Sequence, residues 1–248
     1  MFLGVWELAC RLAWIEPVLI SSPGRILAAM IPLVQLPVFR ADVLYSLAVF
    51  AVALILALAG GTALGLLMGA SSRAYALAHP FVVAVNALPK IVLIPLIVLW
   101  LGVGMASGVF LGALMASFPL IIATYKGVRT IERDYLVLAR AYRAPPGMMV
   151  RTIVLPGIAP HVLAGLRVGI NYAMVGVLIA EFFASGRGIG YRMVVFMANF
   201  EVDRFFACLV LIVTFVLLCV GVVQRVERRI ERWRPEHAGE GLAGQGGA

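Results

Sequence analysis

Long apolar runs dominate this chain, and short polar stretches separate them. Val43 to Ala70 carries no charge. A membrane-spanning helix needs about 20 mostly apolar residues, so this run predicts one span. Phe205 to Gln224 predicts another. Between Lys90 and Lys126 lie 35 uncharged residues. As one helix they would reach roughly 52 Å at ~1.5 Å per residue, too long for a hydrocarbon core of about 30 Å. They are also too few for two spans and a turn. The pattern is met if one span starts near Pro80, carries Lys90 inside it and ends near Leu101. Gly102, Gly104 and Ser107 then make the turn, and the next span runs to Tyr125. A further span, from Val162 to Ala184, contains Glu181. The pattern therefore predicts an all-α, polytopic membrane helix bundle with five full spans.

The first residues fit this scheme less simply. Met1 to Ile15 is apolar enough to touch lipid but short for crossing it. It predicts a helix ending near Trp14. An interfacial helix with Glu7 and Arg11 paired at i, i+4 is the alternative. No cleavable signal peptide is evident, because residues 1–20 carry Glu7, Arg11 and Glu16 and lack a clean apolar centre.

Composition strengthens the membrane reading. Charged residues are 13% of the chain, about half the usual share in a soluble protein. A soluble domain built this way would expose large apolar patches. The net charge is +8, but the Lys and Arg residues lie between apolar runs and not along one stripe. That arrangement belongs to membrane topology, not to nucleic-acid binding. Cys10, Cys208 and Cys219 sit in apolar surroundings and read as small core or lipid-facing residues. His79, His161 and His237 are scattered and suggest no metal site. No cofactor is implied.

The same charges set orientation. With alternating spans, Arg73, the six basic residues of 126–152 and the five of 225–234 share one side, twelve in all. The other side holds five: Arg25, Arg40, Arg187, Arg192 and Arg204. The positive-inside rule then puts the 126–152 insert and the C-terminus in the cytoplasm. Residues 1–234 read as one transmembrane domain. Residues 235–248 are Gly-rich and polar and predict a disordered tail. Gly61, Gly65 and Gly69, like Gly165 and Gly169, are spaced for close helix contact. They read as packing within the chain.

The insert is the one long wet excursion. In "GVRTIERDYLVLARAYRAPPG" the stretch Arg129–Tyr142 predicts a short helix, with Glu132 and Asp134 early and Arg140 and Arg143 late, as the helix dipole prefers. Pro145 and Pro146 should stop it, and Gly147 should permit the turn. Leu136, Ala139, Tyr142 and Met148 form an apolar strip that asks for a cover. The cover is either the chain's own bundle or a soluble partner.

This stretch, "LARAYRAPPGMMVRTIVLP" from Leu138 to Pro156, resembles the cytoplasmic "EAA" loop of permease subunits in binding-protein-dependent ABC importers. The family pattern is Glu-x-Ala, a Gly a few residues on, and then Ile-x-Leu-Pro. The chain keeps Ala139, Ile153, Leu155 and Pro156. It departs at Val137, where Glu is usual, and at Arg143, where Gly is usual. Pro145-Pro146-Gly147 would then supply the turn. The stretches "NALPKIVLIPLIVLWLGVG", "SFPLIIATYKGV" and "LPGIAPHVLAGLRVGINYAMVGVLIAEFFASGRGIGY", with Ser21-Ser22-Pro23 near the start, are similar to the nitrate/sulfonate/taurine type of permease.

The resemblance implies a type I (MetI-like) importer half in a bacterial cytoplasmic (inner) membrane. Its partners would be a second permease copy, two cytoplasmic ATP-binding subunits and an extracytoplasmic solute-binding protein. It implies six spans, of which this chain would hold only the second half of the first, ending in "VWELACRLAW". Val137, Ala139, Arg140, Tyr142, Arg143, Gly147 and Pro156 would then couple to the ATPase. The chain has no Gly-x-x-x-x-Gly-Lys-[Ser/Thr] loop, so it is not expected to be an enzyme or to bind ATP itself.

Ionisable residues inside a membrane are functional candidates, since each costs on the order of 2.5–3.5 kcal/mol at a helix centre. Lys90 and Glu181 qualify, with polar company at Asn86, Ser117, Asn171 and Tyr172. Lys90 either snorkels to an interface or greets an anion. Glu181 either lies on a solute path or is structural, capping the Gly-rich segment beyond it or pairing with Arg187 or Arg192. Two other classes compete. A secondary transporter would more often show an internal repeat. An intramembrane protease would need Ser107 paired with His161. The solute is open among sulfonates, nitrate, cyanate, pyrimidine or flavin precursors and aromatic acids.

Overall fold

A computed structural model of the chain describes residues 2–12 and 20–231. All regular structure among them is helical. The helices are α1 (Phe2–Arg11), α2 (Pro23–Gln35), α3 (Pro37–Ala70), α4 (Ser72–Ala87), α5 (Ile94–Leu101), α6 (Met105–Arg129), α7 (Arg133–Ala141), α8 (Pro146–Met149), α9 (Leu155–Ala184), α10 (Ile189–Ala198) and α11 (Val202–Glu231). A 3-10 turn at Lys90–Leu93 leads into α5, and a π-helical turn at Val150–Val154 leads into α9.

Four helices are long and apolar enough to cross a membrane: α3, α6, the continuous helix Gly147–Ala184, and α11. The expected fifth span is a bent pair of helices, a broken span or a re-entrant loop. Ser72–Ala87 and Lys90–Leu101 meet at 91°, where one span through Lys90 was expected. Pro89 is the cause. Its ring disfavours helical backbone in the residue before it, and Leu88 takes extended angles, φ −66° and ψ 136°. Helix α4 also starts before Pro80, because Ser71 caps it by accepting from the Ala74 N–H at 3.3 Å.

Helix α6 lies between α3 and α9 and packs along both. Small residues make that possible. A side-chain carbon on Gly65 would meet Thr124 at 2.6 Å and the Ile121 carbonyl at 2.7 Å. One on Gly165 would meet Ala123 at 2.7 Å. One on Gly176 would meet the Cα of Gly112 at 2.8 Å. The glycine ladders therefore serve contacts within the chain. Helix α11 covers α9 and α2, and Cys208 is buried there while Cys10 and Cys219 are half-buried.

Other boundaries move. Helix α3 begins at Pro37, so it carries Arg40 and Asp42 ahead of the apolar run. Gly102 and Gly104 do make the predicted turn, with φ of 77° and 122°, which glycine tolerates best. Ser107 is not in the turn. It is buried in the first turn of α6, and its hydroxyl donates to the Gly102 carbonyl. His161 packs against Gly127 near the opposite end of α6. Twenty residues separate Gly127 from Ser107, roughly 30 Å of helix, so Ser107 and His161 do not pair. Trp14, Ile15 and the predicted tail 235–248 lie outside the described residues.

Candidate functional site

The break in the fifth span places polar backbone at membrane depth. Such backbone is tolerated only where protein buries it or water reaches it. At the break the α4 carbonyls lose their helical partners, and Lys90 supplies one. Its ammonium donates to the Asn86 carbonyl and, at 3.1 Å, to Asn86 Oδ1. A cation at a helix C-terminus also suits the helix dipole. The same ammonium stands 5.0 Å from the centre of the Phe118 ring on α6. Asn86 and Lys90 are thus brought together.

The remaining candidates are not. Ser117 is half-buried, donates to the Leu114 carbonyl at 2.8 Å and lines a groove of about 290 Å³ between α3 and α6. Asn171 and Tyr172 are exposed on α9, and Asn171 reaches only the Arg167 carbonyl, at 3.4 Å. Glu181 is 1% exposed and sits at the far end of α9 from the insert. It accepts from Ser46 Oγ at 2.6 Å and from the Gly190 N–H at 2.8 Å. Ser46 in turn accepts from the Ile189 N–H at 2.8 Å. Asp42 accepts from the Gly188 N–H at 3.1 Å and pairs with Arg192. Two carboxylates and a hydroxyl therefore cap the N-terminus of α10, where backbone N–H groups lack helical partners. Arg192 pairs with Asp42, not with Glu181.

Asp42, Ser46 and Arg167 escape sequence reasoning. Asp42 lies one residue ahead of the uncharged run that marks the span. Ser46 is a small hydroxyl among apolar neighbours. Arg167 stands openly inside the Val162–Ala184 stretch and pairs with Glu227 of α11 at 3.5 Å. Its position within a span is the signal that could have found it.

At the other end of α9 the insert forms a helical hairpin. Helix α7 begins at Arg133, four residues later than predicted, because α6 runs on through Lys126 to Arg129. Thr130 Oγ1 lies 3.2 Å from His161 Nε2, which ties the hairpin base to α9. Helix α7 ends before the prolines. Arg143 takes φ 51°, and the Ala144 N–H returns to the Ala139 carbonyl at 2.9 Å. This is a Schellman closure with Arg143 at the left-handed position. The turn is therefore made at Arg143, where the family pattern has Gly, and not by Pro145-Pro146-Gly147. Pro146 instead opens α8, where a missing N–H does no harm.

Val137 (61% exposed), Leu138, Tyr142 (80% exposed) and Met148 are open, and Ala139 is half-buried. Arg140 lies on α7, Gly147 in α8 with open space around it, and Pro156 in the first turn of α9. A left-handed non-glycine residue costs about 1–2 kcal/mol. Arg143→Gly is therefore expected to stabilise the hairpin by about 1 kcal/mol, read as roughly fivefold slower exchange of the Ala144 amide hydrogen.

The family model described as "Binding-protein-dependent transport system inner membrane component" matches residues 61–232. The chain belongs to that family. The match covers the last turns of α3 and everything from α4 through α11. Curated relatives extend the likeness across nearly the whole chain. A formylaminopyrimidine transport permease protein of Halalkalibacterium halodurans is 28% identical over 94% of this chain and 93% of its own length. A putative aliphatic sulfonates transport permease protein of Bacillus subtilis is 24% identical over 96% and 87%. The taurine transport system permease protein of Escherichia coli is 24% identical over 95% and 88%. Among solved structures, the MetNI methionine ABC transporter in an inward-facing conformation shares the fold, with a TM-score of 0.67 and 18% identity over 78% of this chain and 96% of that one.

The protein is thus the permease component of an ABC importer, a multi-pass protein of the inner membrane. It is not itself an enzyme, since a partner ATPase supplies the energy. Family membership implies ATPase and solute-binding-protein partners. It removes the secondary-transporter and protease alternatives.

Proposed function

We propose that the chain is one half of a homodimeric permease that carries a small organic anion into the cytoplasm. Two such halves would meet along the broken span, α6 and α9, with two ATPases below them and the solute-binding protein above. The observation that carries this reading is the open apolar face of the hairpin, Leu138, Tyr142 and Met148. It stands at the end of a continuous 38-residue helix, Gly147–Ala184. A partner seated on that face would move a rigid lever reaching the far side of the bundle. The basic residues around the hairpin and after Gln224 support a cytoplasmic hairpin and C-terminus.

The anion reading rests on Lys90, which has no carboxylate partner among the described residues, and on relatives named for sulfonates and taurine. The test is co-expression with the ATPase and the binding protein. The ATPase should co-purify with this chain, and its hydrolysis should rise with loaded binding protein. Cysteine pairs at Asn171 should crosslink two copies in at least one nucleotide state. A monomeric permease that never retains an ATPase would overturn the reading.

A further inference from the structure

Helix α2 bridges the N-terminal ends of α11 and α3, at the end of the bundle opposite the hairpin. Ser21, just ahead of α2, donates to Asp203 of α11 at 2.5 Å, and Arg25 pairs with the same carboxylate at 2.8 Å. Helix α2 then ends at Gln35, with only Leu36 between it and α3. Beside this bridge α3 and α11 leave a groove of about 420 Å³, a size typical of ligand sites, which span about 300–1,000 Å³. Phe39, Val43 and Leu47 of α3 line it, together with Leu211, Ile212 and Phe215 of α11. The Phe215 ring meets the Phe50 ring edge to face, with 5.4 Å between centres, and closes the inner end.

Only two lining residues are polar. Ser46 is one, and its hydroxyl is already bonded to Glu181 and to the Ile189 N–H. Arg40 is the other, and it is exposed at the rim. Its Nε donates to the Val34 carbonyl at 2.8 Å. Arg25, Arg192 and Arg204 at this end pair with Asp203, Asp42 and Glu201. Arg40 has no carboxylate partner among the described residues, and no carboxylate lines the groove. The surroundings are lipid. Both walls belong to membrane spans. Leu27, Ile31 and Val34 of α2 are exposed at helical spacing, an apolar stripe suited to the boundary of the hydrocarbon. Neither α3 nor α11 belongs to the face along which two halves would meet. The groove is thus an apolar slot open to lipid, with an uncompensated guanidinium at its mouth.

We propose that this groove is a site for one phospholipid, with an acyl chain between α3 and α11 and the phosphate on Arg40. From Arg40 to Leu47 is seven residues of α3, about 10 Å of helix. A phosphate at Arg40 therefore puts the first part of its acyl chain in the groove. A guanidinium can hold two phosphate oxygens at once, which gives place as well as affinity. No carboxylate lines the groove to receive an ammonium headgroup, so phosphatidylglycerol is favoured over a zwitterionic lipid. The chain would fill space that the helices leave open and would join the α2–α3 corner to α11. A lipid bound only to the folded permease stabilises it by mass action.

The experiment is native mass spectrometry, with parallel melting curves, of the full-length permease delipidated in detergent and titrated with defined probes. The probes are palmitoyl-oleoyl phosphatidylglycerol, the matching phosphatidylcholine, the matching diacylglycerol and glycerol phosphate. Phosphatidylglycerol should bind as one tightly held copy per chain and raise the melting temperature. Phosphatidylcholine should bind more weakly, and diacylglycerol at least about tenfold more weakly. Glycerol phosphate, which has no acyl chain, should leave the melting temperature unchanged. Arg40→Gln should weaken phosphatidylglycerol about fivefold, and Arg40→Lys should recover part of the loss. Arg187→Gln, at an exposed arginine of the same end, should bind like the wild type. Leu47→Trp, which fills the groove while keeping Arg40, should remove the tight copy. Equal binding of diacylglycerol and phosphatidylglycerol, or an Arg40→Gln variant that binds like the wild type, overturns the site. So does glycerol phosphate that raises the melting temperature as phosphatidylglycerol does, which would mark a free-phosphate site. Disulfide crosslinking of two copies through Leu44→Cys, with no lipid retained, would give the groove to a second copy and overturn the proposal.

Discussion

Glu181→Ala is expected to release α10 from the bundle and to lower the stability of the whole permease by on the order of 3–5 kcal/mol. The carboxyl is buried, and both its oxygens are used, by the Ser46 hydroxyl and the Gly190 N–H. Removing it orphans two buried donors and leaves a cavity beneath Gly188. Gly188 has φ 105°, and a side-chain carbon there would lie 2.4 Å from the Glu181 carboxyl. Carboxyl and glycine are therefore fitted to each other. The neighbouring bonds depend on the same alignment, because Ser46 also holds the Ile189 N–H. The detergent-solubilised protein should melt roughly 10 °C lower. A thiol-specific label at Met193→Cys, buried in the native protein, should react faster. Glu181→Gln keeps one acceptor and sets an amide donor against the other donor, so its loss should be smaller, about 1–2 kcal/mol. If both variants melt like the wild type while transport falls, Glu181 belongs to the solute path and not to the clasp.

This clasp also shows where sequence reasoning stops. The long helices were legible because each of α3, α6, α9 and α11 contains an apolar run that only a membrane accommodates. The bonds that organise their ends join residues far apart in the chain. Ser46 and Glu181 are separated by 135 positions, and Asp42 and Gly188 by 146. No local period announces such a pair. Glu181 was visible as an anomaly inside a span, but its partners were hidden by the same hydropathy signal that revealed the span. The break at Leu88–Pro89 escaped for a related reason. A window average registers Pro89 as one residue, whereas its ring changes the backbone of the residue before it. Arg143 is the reverse case. Its departure from the family's Gly is legible, but the sequence also offers Pro145-Pro146-Gly147 as a turn. Only the backbone shows Arg143 itself in the left-handed region.

Ala139→Glu is expected to uncouple the transporter. The membrane bundle should stay folded, because α7 packs little against the other helices. The effect should lie at the partner. Ala139 is half-buried between Leu138 and the Schellman turn, and its carbonyl accepts from the Ala144 N–H. That bond uses backbone only, so glutamate leaves it in place while adding length and charge to a shallow face. Next to it Tyr142 is 80% exposed, and aromatic side chains are frequent energetic anchors of interfaces. A charge buried at such a face without a partner costs several kcal/mol, enough to weaken docking more than a hundredfold. Insertion into the membrane and the melting temperature of the isolated permease should be unchanged. The ATPase should be lost on size-exclusion chromatography, or its hydrolysis should no longer respond to loaded binding protein. Ala139→Ser, which adds one small polar atom, should retain both properties. Full ATPase retention with a normal response in Ala139→Glu would show that the driving contact lies elsewhere on the hairpin side, and would sink α7 as the coupling element.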